Sequence, residues 1–527
     1  MHLTKKNFFI SFLFVYFLVG AYFSLNTGLS FDEWVEQRNW EYNVALVKHI
    51  LFDHELDSSF IDYGPKYYGI GFQIISQPIQ ILLSNAILNF QNIDSYASHI
   101  LAKHLVVFSF YFVSGIFLYL IILKIVNNQF FGIFSTILYL LYPYLLGHGL
   151  FNPKDIPFLS IWVICTYISI NIFTKLTQDS YLKYKDVILI SFLSAFLLSI
   201  RVAGVLIFIQ YLITFLIFLN SEKLSISSFL KSTYKKILFF ILLTLIFTYF
   251  LYPVFWKNPF LLFEAINYMS KYPNDVCTLT LGKCMFSKNL SPTYVPIWLL
   301  VKLPVVVLIG LTLLPFTEKK IFVDKTKNIT FGTLLITSFF IIFILIFSKV
   351  NLYDEIRQIL FLVPIIFILG IVSLYIFSKK IFYFLSCITL FIFLVENVKI
   401  YPYQYTWFNT PSRILDLSKN FELDYWGISS RDLANKITKL NKQKTKKPCI
   451  LVNPPWQIKS FLNTEHYSCF GLWGDIESDF QRPFFAVQNM RNLKKGKSYK
   501  CNSVYESKFN FLFSKEDIVT GRLLKCT

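Results

Sequence analysis

Residues 359–377 read ILFLVPIIFILGIVSLYIF, an uninterrupted run without a charge. Charged residues stand at both ends of this run, with Tyr353-Asp-Glu-Ile-Arg357 before it and Ser378-Lys-Lys380 after it. A helix of about 20 apolar residues, each rising about 1.5 Å, crosses the ~30 Å of hydrocarbon in a bilayer. The stretch is therefore predicted to be a transmembrane helix with one lysine end and one end that carries acids and an arginine.

The composition of the whole chain follows the same pattern. Hydrophobic residues make up 55% of the 527 residues and charged residues 15%, whereas soluble domains usually carry about 25% charged residues. This composition excludes a soluble enzyme, a disordered chain and a disulfide-rich miniprotein. The net charge of +19 does not indicate nucleic-acid binding, because the lysines gather at the ends of apolar runs, where cytoplasmic anchors belong.

Eleven segments are predicted to span the membrane. The first is expected to be a retained anchor rather than a cleaved signal peptide, because no convincing small-residue cleavage site follows it. Residues 66–90 are apolar but interrupted by glycine, glutamine and proline, and they are predicted to form interfacial helices; a twelfth span is the alternative. The eleven spans are 8–24, 104–123, 130–147, 156–173, 186–200, 202–219, 237–254, 297–315, 330–347, 359–377 and 381–396.

The loops between these segments alternate in lysine content, and this alternation predicts the topology. The positive-inside rule places the lysine-rich loops in the cytoplasm. The N-terminus is then cytoplasmic, and the other set of loops, at 27–100, 148–155, 255–296 and 348–357, lies outside. The lysine-rich loops contain Lys5, Lys6, Lys124, Lys175, Lys183, Lys185, Lys223, Lys231, Lys235, Lys236, Lys319, Lys320, Lys325, Lys327, Lys379 and Lys380.

Residues 401–527 have a soluble composition and follow an odd number of spans, so they are predicted to form a small extracytoplasmic α/β domain behind a membrane domain of residues 1–400. A helix is expected from Ser429 to about Lys442, and strands at 449–453, 484–487 and 505–513. Cys277 and Cys284 share one outside loop and are predicted to form a disulfide. For Cys449, Cys469, Cys501 and Cys526 three disulfide pairings stay open, with a structural metal site as the alternative.

Two outside loops carry candidate catalytic acids. Asp32 and Glu33 follow the first span, where a carboxylate could take a proton from a hydroxyl beside apolar walls; a solvated loop or a helix N-cap is the alternative. Asp155 and Lys154 stand at the start of the span 156–173, between two prolines. A capped helix with a snorkelling lysine is the simpler interpretation of that second pair.

Two arginines are candidate anion ligands. Arg201 lies between two apolar runs, and an isolated arginine at membrane depth usually faces a polar site; the alternative is a short turn with a snorkelling side chain. Arg357 precedes the span 359–377, and its planar fork suits phosphate oxygens, with a local pair to Asp354 or Glu355 as the alternative. The chain has no Walker loop and no G-x-G-x-x-G motif, so an activated donor would have to arrive within the membrane.

The order of these motifs resembles that of bacterial GT-C integral-membrane glycosyltransferases of the protein-mannosyltransferase-like group, which includes aminoarabinose transferases. In this chain the glycine and histidine of the group's arginine element are replaced by Glu355 and Gln358. The resembling stretches are Phe31-Asp-Glu33, Asn152-Pro-Lys-Asp155-x-Pro157, Arg201-x-x-Gly204, Pro292-x-Tyr294-x-Pro296 with Lys302 and Pro304, Tyr353-Asp-Glu-Ile-Arg357-Gln358-x-x-Phe361-x-x-Pro364, Pro402-Tyr-x-Tyr405-x-x-Phe408-Asn409 and Phe421-Glu-Leu-Asp424-Tyr-Trp-Gly427.

The resemblance implies a multi-pass enzyme of the bacterial plasma membrane that moves a sugar from a polyprenyl-phosphate donor to an extracytoplasmic hydroxyl by inverting displacement. Asp32 would be the catalytic base with Glu33 beside it, and Asp155 would be a second acid. Lys154, Arg201 and Arg357 would hold the donor phosphate. A divalent metal bridging Asp32 or Asp155 to phosphate is compatible with this chemistry, although nothing in the sequence requires it.

The acceptor, the sugar and the class of function stay open at this point. The acceptor could be a lipid, a glycan or a protein, and the sugar is not defined. The main alternative function is that of a transporter or lipid flippase, which usually places polar residues in the middle of broken helices. Here the candidate charges gather at the predicted outer ends of spans, which favours the enzyme.

Overall fold

The computed structural model describes residues 5–60, 64–177, 181–271, 275–322, 324–441, 447–472, 483–489 and 501–526. Its helices are α1 (Lys5–Leu25), α2 (Glu33–Phe52), α3 (Gly71–Gln91), α4 (Ser95–Val126), α5 (Gln129–Leu140), α6 (Pro143–Gly149), α7 (Asp155–Leu176), α8 (Tyr184–Ile200), α9 (Leu206–Glu222), α10 (Ile226–Leu251), α11 (Leu261–Ser270), α12 (Tyr294–Lys302), α13 (Val305–Thr312), α14 (Leu314–Ile321), α15 (Lys325–Phe347), α16 (Val363–Phe377), α17 (Lys379–Lys399), α18 (Leu417–Asn420), α19 (Ser430–Asn441) and α20 (Pro455–Lys459).

The strands are β1 (Cys277–Thr280), β2 (Lys283–Phe286), β3 (Cys449–Leu451), β4 (Cys469–Gly471), β5 (Phe484–Asn489), β6 (Asn502–Phe509) and β7 (Ile518–Cys526). The first two form an antiparallel hairpin. The other five form one mixed sheet in the order β4-β3-β5-β7-β6, in which β3 is parallel to both its neighbours and β7 is antiparallel to both of its own. The predicted polytopic helical membrane protein with a small α/β tail is confirmed.

Local sequence explains where the helices begin and bend. Asp94, Asn128 and Asp324 accept backbone N–H groups at the starts of α4, α5 and α15, as N-cap residues do. Pro143 begins α6, which is bent 63° from α5. Pro304 lies between α12 and α13, where proline ends a helix because it lacks an N–H group.

These breaks refine the span count. Within the described ranges, eight helices are long and apolar enough to cross a membrane, and the bent pair α5–α6 would make nine. The remaining two predicted spans are also helical: α8 has only 17 residues, and the segment 297–315 is divided at Pro304. Hydropathy therefore located every segment, whereas it could not show which of them are continuous helices.

The first loop and the tail lie on the same side of the bundle. The backbone N–H of Phe31 donates to the carbonyl of Trp426 at 3.0 Å. Gln457 donates to the carbonyl of Leu29 at 2.7 Å, and Arg431 donates to the carbonyl of Leu25 at 3.0 Å. The tail therefore packs on the loop that carries Asp32, and we call this the loop side of the molecule.

Candidate functional site

Asp32 and Arg357 meet on the loop side, although 325 positions separate them in the chain. Asp32 lies immediately before α2, and its Oδ2 accepts a hydrogen bond from Nη1 of Arg357 at 2.9 Å. The Asp32 side chain is 39% exposed, whereas that of Arg357 is 10% exposed. One carboxylate oxygen is therefore held by a fixed cation while the group stays open to a ligand.

Aromatic rings and a second acid fix the Arg357 guanidinium. Nη2 lies 3.2 Å from Oδ2 of Asp354, which is the local pair that the sequence left as an alternative. The guanidinium carbon lies 4.6 Å from the ring centre of Trp426 and 5.0 Å from that of Tyr353, as expected of a cation over aromatic faces. Arg357 thus contacts both the base candidate and its own turn.

The second loop supplies another ion pair at the start of α7. Arg201 Nη1 donates to Oδ1 of Asp155. The other carboxylate oxygen accepts from Nδ2 of Asn152 at 3.0 Å, and the Asn152 side-chain oxygen accepts the Asp155 N–H at 3.0 Å. His148 stands behind, with Nδ1 3.0 Å from the Asn152 amide nitrogen. Asp155 is only 4% exposed, so its structural role is to hold Arg201.

Lys154 pairs with Glu36, a residue that the sequence analysis missed. Lys154 Nζ lies 2.6 Å from Oε1 of Glu36 and 3.6 Å from the ring centre of Tyr68. Oε2 of Glu36 accepts from the amide of Gln73 at 2.5 Å. Because residues three and four apart share a helix face, the position of Glu36 four residues after Asp32 was an available signal.

Glu33 does not join these charges. It is fully buried, with Oε1 2.6 Å from Nε2 of His104 and Oε2 accepting the Ser30 N–H at 2.6 Å. His104 in turn contacts Thr27 at 2.8 Å. Glu33 therefore clamps the first loop onto α4 and presents neither oxygen to Arg357.

Lys154 and Arg201 line a cavity of about 300 Å³. Its other walls are largely apolar and come from α9, α11, the end of α15 and the segment after Arg357. Neither Asp32 nor Arg357 is among the described residues that form its lining. The remaining lining residues include Tyr67, Tyr68, Leu206, Ile266, Met269, Leu345, Val350, Leu352, Gln358, Ile359 and Phe361.

We call Asp32, Glu36, Lys154, Asp155, Arg201, Asp354 and Arg357 the site charge group. Each of its three cations contacts at least one of its four carboxylates. Within the part of the chain that the structure describes, no cluster of three or more histidine, cysteine, aspartate or glutamate residues could hold a metal ion. An anionic ligand bound at these cations would therefore contact groups that also contact carboxylates.

A further ion pair lies in the interior, next to this group. Lys302 Nζ lies 2.8 Å from Oε1 of Glu355, and both side chains are fully buried. The ammonium also lies 3.9 Å from the ring centre of Phe408. Burial raises the pKa of the Glu355 carboxyl to about 7, and the neighbouring Lys302 ammonium opposes that rise.

The loop-side cysteines are paired. Disulfides join Cys277 to Cys284, Cys449 to Cys469 and Cys501 to Cys526. The β1–β2 hairpin that carries the first pair contacts the tail, where the Leu279 carbonyl accepts the Glu422 N–H at 2.8 Å. It also contacts the turn before Arg357, where Thr278 Oγ1 accepts the Asp354 N–H at 2.8 Å.

Two solved structures are similar to the chain over nearly its whole length. One is the crystal structure of ArnT from Cupriavidus metallidurans bound to undecaprenyl phosphate, with 9% identity and a TM-score of 0.49 over 98% of this chain and 97% of that one. The other is the apo state of the same protein, with 10% identity and a TM-score of 0.48 over 99% of this chain and 98% of that one.

No protein-family model and no curated protein matches the chain.

Proposed function

We propose that the protein is a membrane glycosyltransferase that moves a sugar from a polyprenyl-phosphate donor to an acceptor hydroxyl on the loop side. The observation that carries the proposal is the meeting of Asp32 and Arg357 beside a largely apolar cavity that Lys154 and Arg201 line. A partly exposed carboxylate suits a base, and an apolar cavity with cations suits a lipid phosphate.

Lys154 and Arg201 are the proposed ligands of the donor phosphate, because both line the cavity. Hydrogen bonds between such cations and phosphate oxygens are about twice as strong as neutral ones. At about 300 Å³ the cavity is at the small end of ligand sites. It therefore suits the phosphate and the first part of the chain, and the rest of the polyprenyl chain would lie against the bilayer.

Asp32 is the proposed base. In the reaction, the acceptor oxygen forms a bond to the anomeric carbon and the bond from that carbon to the phosphate oxygen breaks, with the electron pair leaving on polyprenyl phosphate. The acceptor proton goes to Asp32. Displacement from the opposite face inverts the anomeric configuration. General-base help of this kind contributes about 10²–10⁴-fold in rate.

The contacts support different roles for the other predicted site residues. Arg357 orients Asp32, while Asp155 holds Arg201 in place for the phosphate. Glu33 supports the loop rather than the reaction. The assignment of Arg357 to the donor phosphate, which the resemblance implies, is the competing proposal, and it predicts a change in donor affinity on mutation.

The proposed function is tested by sugar transfer with purified protein and a polyprenyl-phosphate sugar. Asp32→Asn keeps the size of the side chain but removes its basicity, so transfer should fall by about 10²-fold or more. Asp53→Asn is the matched control. Asp53 lies at the other end of α2, in an exposed left-handed position that asparagine tolerates. Equal turnover in the two variants would rule out Asp32 as the base.

We also propose that the loop side faces the cell exterior. The loops that the topology prediction puts outside lie there, together with the disulfides and the tail, and disulfides persist in oxidising compartments. An Asn441→Cys variant should react with a membrane-impermeant thiol reagent added to intact spheroplasts. Labelling only after permeabilisation would reverse the orientation.

A further inference from the structure

The turn before Arg357 has an unusual backbone. Asp354 has a φ of 53° and Glu355 a φ of 66°, so two successive residues with side chains adopt the left-handed conformation. This conformation costs roughly 1–2 kcal/mol per residue outside glycine, and such outliers persist only where the surroundings enforce them. Something around this turn must therefore hold it.

Glu355 is held by its side chain and by its backbone. Its carboxylate pairs with Lys302, and both groups are fully buried. Its backbone carbonyl accepts the Tyr294 hydroxyl at 3.0 Å. Lys302 ends α12, just before the break at Pro304, and its ammonium lies against Phe408. A buried carboxylate can stay in place only with such a partner, because an unpaired buried charge is strongly destabilising.

The turn leads directly to the site. Asp354 contacts Arg357 Nη2 through its carboxylate, and Arg357 contacts Asp32 through Nη1. These contacts form a continuous series from the break after α12 to the base candidate: Lys302, Glu355, the turn, Arg357 and Asp32. A change in the direction of the turn would move the guanidinium away from Asp32.

The backbone conformation alone does not explain why residue 355 is a glutamate. Glycine adopts the left-handed region without steric cost. This chain has a glutamate at the position instead, together with a lysine that pairs with it. Fixing the turn is the function that these contacts support.

We propose that Lys302 and Glu355 are positioning residues whose buried ion pair holds the left-handed turn and thereby aims Arg357 at Asp32. Neither residue needs to touch substrate for this role. The geometric part of the inference stands independently of the reaction, whereas its effect on turnover rests on the proposed glycosyltransferase function. Two experiments separate these parts.

The first experiment measures the coupling between Asp32 and Arg357 without any assay of activity. Thermal unfolding midpoints are compared for Asp32→Asn, Arg357→Gln and the double variant, and any departure from additivity reports their contact. The same cycle is then repeated in the background Lys302→Met/Glu355→Gly. This background removes both charges together and supplies glycine at the left-handed position.

We expect non-additive midpoint shifts in the natural background and additive shifts in the Lys302→Met/Glu355→Gly background. Unchanged non-additivity would overturn the inference, because Arg357 would then find Asp32 without the buried pair. If that background does not fold, Lys302→Met/Glu355→Gln replaces it, which also leaves no buried charge unpaired. The amide keeps the shape but lacks the charge, so the non-additivity should decrease, and an undiminished value would again overturn the inference.

The second experiment measures transfer by the Lys302→Met/Glu355→Gly protein, corrected for the folded fraction. We expect kcat to fall about 10- to 100-fold, since misplacing a catalytic group by about 1 Å costs this much, while the KM for donor changes little. Arg522→Gln, which breaks an exposed pair with Glu506 in the tail sheet, is the control with expected normal kcat.

The outcomes of the two experiments distinguish the two claims. Normal kcat in the folded Lys302→Met/Glu355→Gly protein would make the pair merely structural. If wild-type protein shows no transfer at all, the proposed function fails, and the unfolding cycle alone decides whether the pair aims Arg357.

Discussion

Two clusters of charge lie on the loop side, and they differ in how completely they are satisfied. The first is the site charge group. The second, which we call the tail anchor, consists of Glu396 near the end of α17 with Trp407 and Arg413 from the tail. Both clusters join arginine to carboxylate, across 325 positions in the site charge group and 17 in the tail anchor. Their contacts nevertheless indicate opposite functions.

In the tail anchor both carboxylate oxygens are used. Glu396 accepts from both terminal nitrogens of Arg413, from Trp407 Nε1 at 2.5 Å and from the Leu512 N–H at 3.2 Å. Arg413 also donates to the carbonyls of Phe408 and Leu512. The two charged side chains are 1% and 0% exposed. The charges of the pair are matched within the protein, so this cluster fixes the tail to the bundle, although Arg413 also lines a separate, largely apolar cavity.

The site charge group is more open. Lys154 and Arg201 are 14% and 16% exposed and line the cavity, and Asp32 is 39% exposed. Buried polar groups that are fully paired stabilise a fold, whereas partly open charges beside a cavity are typical of ligand sites. The difference between the clusters therefore supports a structural function for the tail anchor and the proposed chemical function for the site charge group.

The largest effect on stability is expected in the tail anchor. Arg413→Leu would leave Glu396 charged, buried and without its cation, which typically costs about 3–5 kcal/mol. The thermal unfolding midpoint in detergent should drop sharply, while transfer per folded molecule stays near normal. Lys419→Gln, which breaks an exposed pair with Asp416, should leave the midpoint where it is. A large loss of activity in folded Arg413→Leu would place the tail anchor in the site.

A large effect on turnover is expected at Arg357. Arg357→Lys keeps the charge but cannot contact Asp32 and Asp354 with two separate nitrogens. A hydrogen bond to a charged group contributes about 1.5–3 kcal/mol, so kcat should fall about 10- to 100-fold with little change in the KM for donor. Steady-state kinetics at varied donor concentration measures both. A rise in KM with normal kcat would instead assign Arg357 to the donor phosphate.

A smaller and different effect is expected at Lys154. The double variant Glu36→Gln/Lys154→Gln removes both charges, so neither is left unpaired. Losing one charged contact to phosphate should raise the KM for donor about tenfold, the equivalent of about 1.4 kcal/mol, with kcat nearly unchanged. Arg38→Gln on an exposed part of α2 is the control. A normal KM would remove Lys154 from the donor site.

The smallest effect on transfer is expected at Glu33. Glutamine can still accept the Ser30 N–H, so Glu33→Gln should lower stability by about 1 kcal/mol and leave turnover close to that of wild type. Circular dichroism and the transfer assay test the two parts. A loss of transfer as large as that of Asp32→Asn would make Glu33 part of the chemistry.

The sequence predicted the parts of this molecule that depend on local pattern. Hydropathy located the helical segments, and lysine alternation placed loops 27–100 and 348–357 on one side, where the structure brings Asp32 and Arg357 together. The helix at 430–441 and the strands β3, β5 and β6 were also predicted. In each case the signal lies within about 20 consecutive residues.

What could not be predicted depends on side-chain contacts and strand pairings that leave no mark in hydropathy. Glu396 was the last residue of a predicted span, and Arg413, 17 positions later, carried no motif, so their pairing had no recognised signal. Strands β4 and β7 depend on pairing within the tail sheet, whereas the breaks before Pro143 and at Pro304 had a local signal in the prolines. Gln73 is one of the glutamines that interrupt the apolar stretch 66–90. Its role had no local signal, because it donates to Glu36 from another helix and thereby supports the site.

The central claim is that the site charge group acts on a lipid-linked sugar. The most direct measurement uses purified wild-type protein in vesicles with polyprenyl-phosphate sugars and total membrane acceptors, and follows both products by mass spectrometry. We expect wild-type protein to release polyprenyl phosphate and to leave a sugar on an acceptor hydroxyl. Both products should be lost in Asp32→Asn. No release with any lipid-linked sugar, combined with movement of the intact donor across the bilayer, would contradict the central claim and identify a flippase.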